Sequence, residues 1–264
     1  MIDILLTNDD GYSSIGFYPL LRELRRRYTV CGIAPDTQRS WVGKSLTAHA
    51  DIEFEKVAVE GLPVFAVNGT PADCVQVGLF HVLDQKPMMA VSGINIGENV
   101  GRSLILSSGT VGAAMEAAID GIRSVAFSLY IPPEYEEEID FFDAENFHIF
   151  QRAAMIACKI VDILMRPGVI SSFDLISVNI PFEAGTDTEY EITVPFKNAY
   201  GQVFHRSGTA YRMRSPLVSF ENAAAGTDIH ALAQGKVSVS PISLDLVVPQ
   251  STMRILDEQL REHW

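Results

Sequence analysis

The sequence predicts an α/β fold built on a mostly parallel sheet, and three observations carry that expectation. Short apolar runs that read as strands alternate with segments of helical periodicity. The strands are nearly continuous in apolar residues, as strands covered on both faces must be. The chain has 264 residues, 47% of them apolar, enough for one large core. A single domain over 1–264 is expected, with an α/β body at 1–181 and an extended region at 182–264.

Ile2–Thr7 reads as the first strand and ends abruptly in Asn8-Asp9-Asp10-Gly11. From Ile15 to Tyr28, Phe17, Leu20, Leu21 and Leu24 recur at helical spacing, with arginines on the other faces. Thr29–Ala34 then forms a strand closed by Pro35, which completes a unit long enough for a right-handed crossover. The alternation continues: strand 64–67, helix 71–83, strand 88–92, an Ala-rich helix 110–120 and strand 124–129. A longer helix is expected over 143–165, where Phe147, Phe150, Ala154, Ala157, Val161 and Leu164 share a face and Arg166-Pro167-Gly168 stops it. Strand 175–180 ends at Pro181. Residues 182–227 carry Gly, Pro, Thr and Asn punctuation without helical period, so they read as extended arms or a hairpin. A strand at 236–243 and a short C-terminal helix follow. The region after 182 lacks a core of its own and is expected to pack on the body or on a second subunit.

Twenty basic against 33 acidic residues give a formal net charge of −13, a field that repels nucleic acid and anionic lipid surfaces. The same field opposes a phosphate ligand, so any phosphate site needs a local cation or aligned backbone N–H groups. Cys31, Cys74 and Cys158 lie in apolar stretches without close spacing, which reads as buried free thiols in a reducing compartment, and a cytoplasmic protein is expected. The opening apolar run is too short for a signal peptide, and no stretch approaches a membrane span.

In open α/β sheets ligands bind outside the carboxyl ends of the strands, which directs attention to three loops. Asn8-Asp9-Asp10-Gly11 sets two adjacent carboxylates at the tip of a buried strand, where desolvation raises both pKa values unless a cation neutralises them. Such hard oxygen donors suit Mg²⁺, Mn²⁺ or Ca²⁺. A helix N-cap with a solvated turn explains the same residues equally well on this segment alone. The second loop, Pro35 to Ser45, ends in Gly43-Lys44-Ser45, but a P-loop needs glycine where Gln38 stands, so that reading fails. It remains a polar loop with Arg39, Ser40 and Lys44, able to supply a hydroxyl ligand and positive charge, or an ordinary surface loop. The third, Ser92 to Gly101, lacks the dinucleotide fingerprint; with Asn95, Asn99 and the following Ser108-Gly109-Thr110 it reads as an anion nest at a helix N-terminus. The six histidines fall outside these loops, so neither zinc on imidazole nor a Ser-His-Asp triad has support. Aromatic residues read first as packing or rim residues, and Trp41, beside the second loop, is the candidate for touching a nucleobase.

Together Asn8-Asp9-Asp10-Gly11, Ala34-Pro35-Asp36 with Arg39-Ser40, Gly69-Thr70-Pro71-Ala72-Asp73, Ser92-Gly93-Ile94-Asn95 with Gly97 and Asn99, and Ser108-Gly109-Thr110-Val111 resemble the signature of the SurE nucleotidases. The resemblance is dense over the first 130 residues, with a sparser echo at Val178–Pro181 and from Thr227-Asp228 to Pro241. It implies a Rossmann-like α/β body, an extended C-terminal region engaged in a homodimer or larger homo-oligomer, and a metal-dependent phosphatase of nucleoside 5'- and 3'-monophosphates. By motif match one divalent cation per subunit sits on Asp9, Asp10, Ser40 and Asn95, while Asn99, Ser108, Gly109 and Thr110 hold the phosphate. Trp41-Val42 departs from the small residues usual after the serine, and Lys44 stands where histidine is frequent.

The chemistry expected is phosphomonoester hydrolysis at a divalent metal, with Asp9 and Asp10 the catalytic pair and either water or an aspartate as attacking group. Arg39 and Lys44 are candidates for steadying phosphate oxygens. The alternative of a different class is a Mg²⁺-dependent receiver-like switch, which also carries paired acids after its first strand.

Overall fold

The structure, a computed structural model, describes residues 2–136, 146–169, 172–214, 219–220 and 223–263. Its strands are β1 (Ile4–Thr7), β2 (Val30–Pro35), β3 (Phe54–Val59), β4 (Leu62–Val67), β5 (Met89–Ile96), β6 (Ser124–Leu129), β7 (Leu175–Ile180), β8 (Tyr190–Ile192), β9 (Phe204–Ser207), β10 (Ala210–Met213) and β11 (Val237–Ile242). Its helices are α1 (Phe17–Arg25), α2 (Pro71–Val77), α3 (Gly101–Ser107), α4 (Gly109–Ile119), α5 (Pro133–Glu136), α6 (Phe147–Leu164), α7 (Asp228–Ala233) and α8 (Gln250–His263). The fold is α/β, with one nine-stranded sheet in the order β3-β4-β2-β1-β5-β6-β7-β11-β8 and a separate β9-β10 hairpin. From β4 to β7 every neighbouring pair is parallel; β3 and β11 join antiparallel.

Strand period two divides the core. Ile4 and Leu6 face a cluster containing Phe17, Leu20, Leu21 and Leu24 of α1 and Phe150, Ala154, Ala157 and Val161 of α6. Leu5 faces the other way, onto Cys74 and Val75 of α2 and Ala113 and Ala117 of α4. Helices therefore cover both faces, which is why β1, β2, β6 and β7 are buried throughout. The chain leaves β1 toward β2 and β4, then returns to build β5 on the other side of β1. That reversal opens a crevice at the carboxyl ends of β1 and β5.

Several elements differ from expectation. β3 was not anticipated: it is an exposed edge strand with Glu55 and Lys56, and it turns into β4 through Glu60 and Gly61, both at positive φ (47° and 78°), the geometry of a two-residue hairpin. The glycine-rich stretch from Ser92 to Gly101 read as a loop contains the end of β5, which runs on to Ile96, and at Gly101 it opens α3, a helix not anticipated. The long helix begins at Phe147; the expected start at 143–145 lies outside the described residues. The second helix ends as α2 at Val77 and continues as one π turn over Gly78–Val82. Beyond Pro181 the chain supplies β8 and β11 to the main sheet, and α8 runs 14 residues with none buried.

The Gly69-Thr70-Pro71-Ala72-Asp73 motif is explained by helix capping. The Thr70 hydroxyl accepts the Asp73 N–H (3.1 Å) and Asp73 accepts the Thr70 N–H (2.8 Å), with Pro71 at the first helical position. Asp73 also accepts from the Thr47 N–H (3.0 Å) and hydroxyl (2.6 Å), so the cap pins the far end of the second loop. Gly69 is required there, because a Cβ would lie 2.7 Å from Asp73 Oδ2. Asp73→Ala is expected to cost about 2–3 kcal/mol by orphaning these donors. The readout is a lower urea midpoint at unchanged slope; a midpoint equal to wild type contradicts the assignment.

Candidate metal and phosphate site

The site grows from the tight turn after β1. Asn8 donates to the Gly11 carbonyl (2.9 Å), and Gly11 takes φ 94° beside the backbone of Pro35 and Thr37. The Arg39 N–H donates to the Asp9 carbonyl (2.7 Å) and the Tyr12 N–H to the Pro35 carbonyl (2.9 Å). These bonds tie the loop after β1 to the loop after β2, carrying Ser40 toward the acids.

Asp9 is 4% exposed and accepts a short hydrogen bond from the Thr110 hydroxyl at the start of α4. The same hydroxyl lies 3.4 Å from Asn95 Oδ1. The Asn95 amide nitrogen donates to the Gly97 carbonyl (2.7 Å), which leaves its oxygen on the side of Thr110 and Asp9. Asp10 accepts the Ile96 N–H (3.0 Å) and the Gln38 side-chain amide (3.4 Å), and that amide also donates to Ser40 Oγ (2.9 Å). Two hydrogen-bonded groups result, Asp9–Thr110–Asn95 and Asp10–Gln38–Ser40, and the chain itself sets them side by side where Asp9 precedes Asp10 and Asn95 precedes Ile96.

Burial raises the Asp9 carboxyl, against the hydrogen bonds from Thr110 and the α4 N-terminus that lower it. Burial, followed by the Asp9 charge, pushes Asp10 up to about 8 from an ordinary 3.8. Among the described residues neither carboxylate has an ion-pair partner: Arg39 pairs with Asp36 (3.1 Å) and donates to the Asn68 carbonyl, while Lys44 pairs with Glu116 (2.5 Å). Both basic residues expected to steady phosphate are thereby engaged elsewhere, Lys44 because the buried Glu116 on α4 needs its charge.

These residues fit a hard divalent cation. Two carboxylates, the Asn95 carbonyl oxygen and the Ser40 hydroxyl are all oxygen donors, and Asn8 Oδ1 beside them is buried without a hydrogen-bond partner. Among the described residues no three His, Cys, Asp or Glu side chains converge, so amide and hydroxyl oxygens have to complete the set.

The N-terminus of the 11-residue α4 presents the backbone N–H groups that an anion could use. Ser108 Oγ accepts the Val111 N–H (3.0 Å) and so serves as the cap, while Gly109 lets the helix approach Asp9: a Cβ there would lie 2.8 Å from the Asp9 Cβ. Asn99 is held apart from this network. Its amide donates to Ser128 Oγ (2.8 Å), and its backbone is clasped by the Asn179 side chain (2.8 and 3.2 Å).

Sequence reading gave no structural role to two contributors. Gln38, used only to reject a P-loop, bridges Asp10 and Ser40. Asp228, at the head of α7, accepts the N–H groups of Gly101 (2.7 Å), Phe196 (3.0 Å) and Ile229 (2.8 Å), fastening the extended arm to α3. The available signal for Asp228 was its position after the capping Thr227.

The chain matches the family model for Survival protein SurE over residues 4–202. Similar proteins include the 5'-nucleotidase SurE of Methanocella arvoryzae, 34% identical over 99% of this chain and 98% of that one. The 5'-nucleotidase SurE of Archaeoglobus fulgidus is 39% identical over 92% of each. The crystal structure of the SurE protein from Aquifex aeolicus superposes with a TM-score of 0.78 at 31% identity, covering 97% of this chain and 99% of that one.

A raised carboxyl pKa favours the neutral, folded form. In metal-free protein the stability contributed by Asp10 is fully present below about pH 4 and is lost as pH rises through about 8. Melting temperature in chelator is expected to fall across that window and to fall less in Asp10→Asn. Added Mn²⁺ is expected to raise it more at pH 8 than at pH 5, with proton release. A melting temperature in chelator that climbs from pH 5 to pH 8 equally in both proteins contradicts the electrostatic account.

Proposed function

The chain belongs to the SurE family, and from that membership and the geometry of the site we propose that it is a metal-dependent phosphomonoesterase of nucleoside 5'-monophosphates, and of 3'-monophosphates, releasing nucleoside and phosphate. The observation that carries this reading is the adjacent pair of carboxylates without a basic partner among the described residues, Asp9 buried against the N-terminus of α4 and Asp10 half-buried beside it. Similarity to proteins named as nucleotidases leaves the receiver-like reading without support.

Asp9, Asp10, Ser40 and Asn95 would hold the cation, with Mg²⁺ or Mn²⁺ favoured over softer metals by the all-oxygen donors. When bound, a divalent ion there polarises a phosphate oxygen and lowers the pKa of coordinated water. The chain's own groups do the rest. The first N–H groups of α4 and the Thr110 hydroxyl receive phosphate oxygens, and Gly109 keeps the approach clear. Both Asp10 oxygens already accept hydrogen bonds, and Asp9 is held beneath Thr110. This arrangement suits ligation better than attack and favours water as the nucleophile. Water forms the new P–O bond, the ester P–O bond breaks, and the leaving oxygen takes up a proton.

The proposal extends to assembly and location. α8 exposes Met253, Ile255, Leu256 and Leu260, and the segment before it exposes Leu246, Val247 and Val248, an amphipathic tail that its own body does not cover. A second copy of the chain is the fitting partner, giving a homodimer. The three buried free thiols suit the cytoplasm. Among the described residues no helix is long and apolar enough to cross a membrane.

With Mn²⁺ or Mg²⁺, phosphate release from AMP is expected and is abolished by chelator. Asp9→Asn is expected to lower kcat/KM by on the order of a thousandfold while circular dichroism is unchanged; turnover near wild type removes the assignment. Removing residues 250–264 is expected to convert a sedimenting dimer to monomer, and a dimer that persists assigns the interface elsewhere.

A further inference from the structure

We infer that Trp41 is the nucleobase-recognising residue: the indole is the platform on which the base of a bound nucleoside monophosphate stacks. The inference rests on the nucleotidase reading and adds to it the determinant of substrate class.

The position comes from the chain itself. Trp41 follows Ser40, whose hydroxyl is linked to Asp10 through Gln38, and precedes Val42 and Gly43, which pack on the α4 N-terminus. The Gly43 N–H donates to the Ser107 carbonyl (2.8 Å), and a Cβ on Gly109 would come within 3.1 Å of Val42 Cγ2. Consecutive Cα atoms are about 3.8 Å apart, so the Trp41 backbone stands within one or two residues of both Ser40 and the loop segment packed on the α4 N-terminus.

The conformation is unusual in the same place. Trp41 takes φ 63°, a region that disfavours bulky side chains; among the described non-glycine residues only Glu60, in the β3-β4 turn, shares it. The fold supports the indole from one side. The Tyr200 ring lies 6.0 Å away, tilted 54°, and the Tyr200 hydroxyl is tied to the Ser103 carbonyl by a short hydrogen bond. Asn198 accepts the Ser103 N–H (3.1 Å), and Arg102 N–H donates to the Phe196 carbonyl (2.9 Å). Asp228 fixes both ends of that contact through Gly101 and Phe196. Trp41 itself packs against the cluster of Val100, Leu104, Ile229 and Leu232 and stays partly exposed. A rigidly backed, partly open indole beside a phosphate site is suited to a π-stacked base. Stacking tolerates every base and favours the larger purine face, while the net charge of −13 disfavours long polynucleotides.

The chain has two tryptophans, so Trp264→Phe leaves Trp41 as the only indole reporter. In that background AMP is expected to quench the emission, and inorganic phosphate at equal concentration is not. Trp41→Gly relieves the positive φ and so keeps the fold. It is expected to raise KM for AMP about tenfold, with kcat within about twofold and inhibition by inorganic phosphate unchanged, whereas Trp41→Phe stays near wild type. Unchanged KM for AMP in Trp41→Gly, or parallel weakening of AMP and phosphate, overturns the inference. A wild-type enzyme that is quenched by AMP yet releases no phosphate from any nucleotide contradicts hydrolysis and supports base stacking.

Discussion

Two carboxylates on successive residues, at the buried end of a central strand, cannot both be charged unless something positive lies between them. Among the described residues no basic side chain provides that charge: the nearby Arg39 and Lys44 answer to Asp36 and Glu116. It provides instead the positive end of α4, a threonine hydroxyl and oxygen donors from two further loops. Burial raises both carboxyls, and the cost of that burial is what a divalent cation relieves. On the function proposed for this site, the same ion and the same helix terminus would let an acidic protein accept an anionic substrate.

The rest of the architecture serves that convergence. Chain reversal around β1 opens the crevice, and close backbone approaches close the loops upon it. Gly109 brings α4 against Asp9. Gly112 brings the same helix against Gly43 and Lys44, where a Cβ would lie 2.4 Å from the Gly43 carbonyl oxygen. The second loop is consequently wedged between β1's turn and α4, held at its far end by the Asp73 cap. Lys44 completes the wedge by neutralising Glu116 inside the α2-α4 layer, a structural duty for a residue whose charge first suggests substrate binding.

Much of this was legible in the sequence where local rules and tertiary packing agree. The continuous apolar runs of β1, β2, β6 and β7 and the helical stripes of α1 and α6 signal a two-faced parallel core directly. β3 escaped because Glu55 and Lys56 cut the apolar run of this edge strand to Val57-Ala58-Val59, and its Glu60-Gly61 turn lacks the usual Asn-Gly or Asp-Gly signal. α3 escaped because glycines at 97 and 101 suggest loop, although both sit at positive φ outside or at the edge of the helix. At the site, residue types named the donors, but only the fold shows that Gln38 links Asp10 with Ser40 and that Asn99 is committed to Ser128 and Asn179. Such long-range pairings leave no local pattern.

The central claim is that oxygen atoms from Asp9, Asp10, Ser40 and Asn95 enclose one divalent cation beside the α4 N-terminus. Anomalous diffraction from crystals soaked in Mn²⁺ tests it most directly. The account predicts a single strong peak among those four side chains, lost in Asp9→Asn crystals. A manganese peak elsewhere in the molecule, with the four side chains vacant and pointing apart, would contradict it.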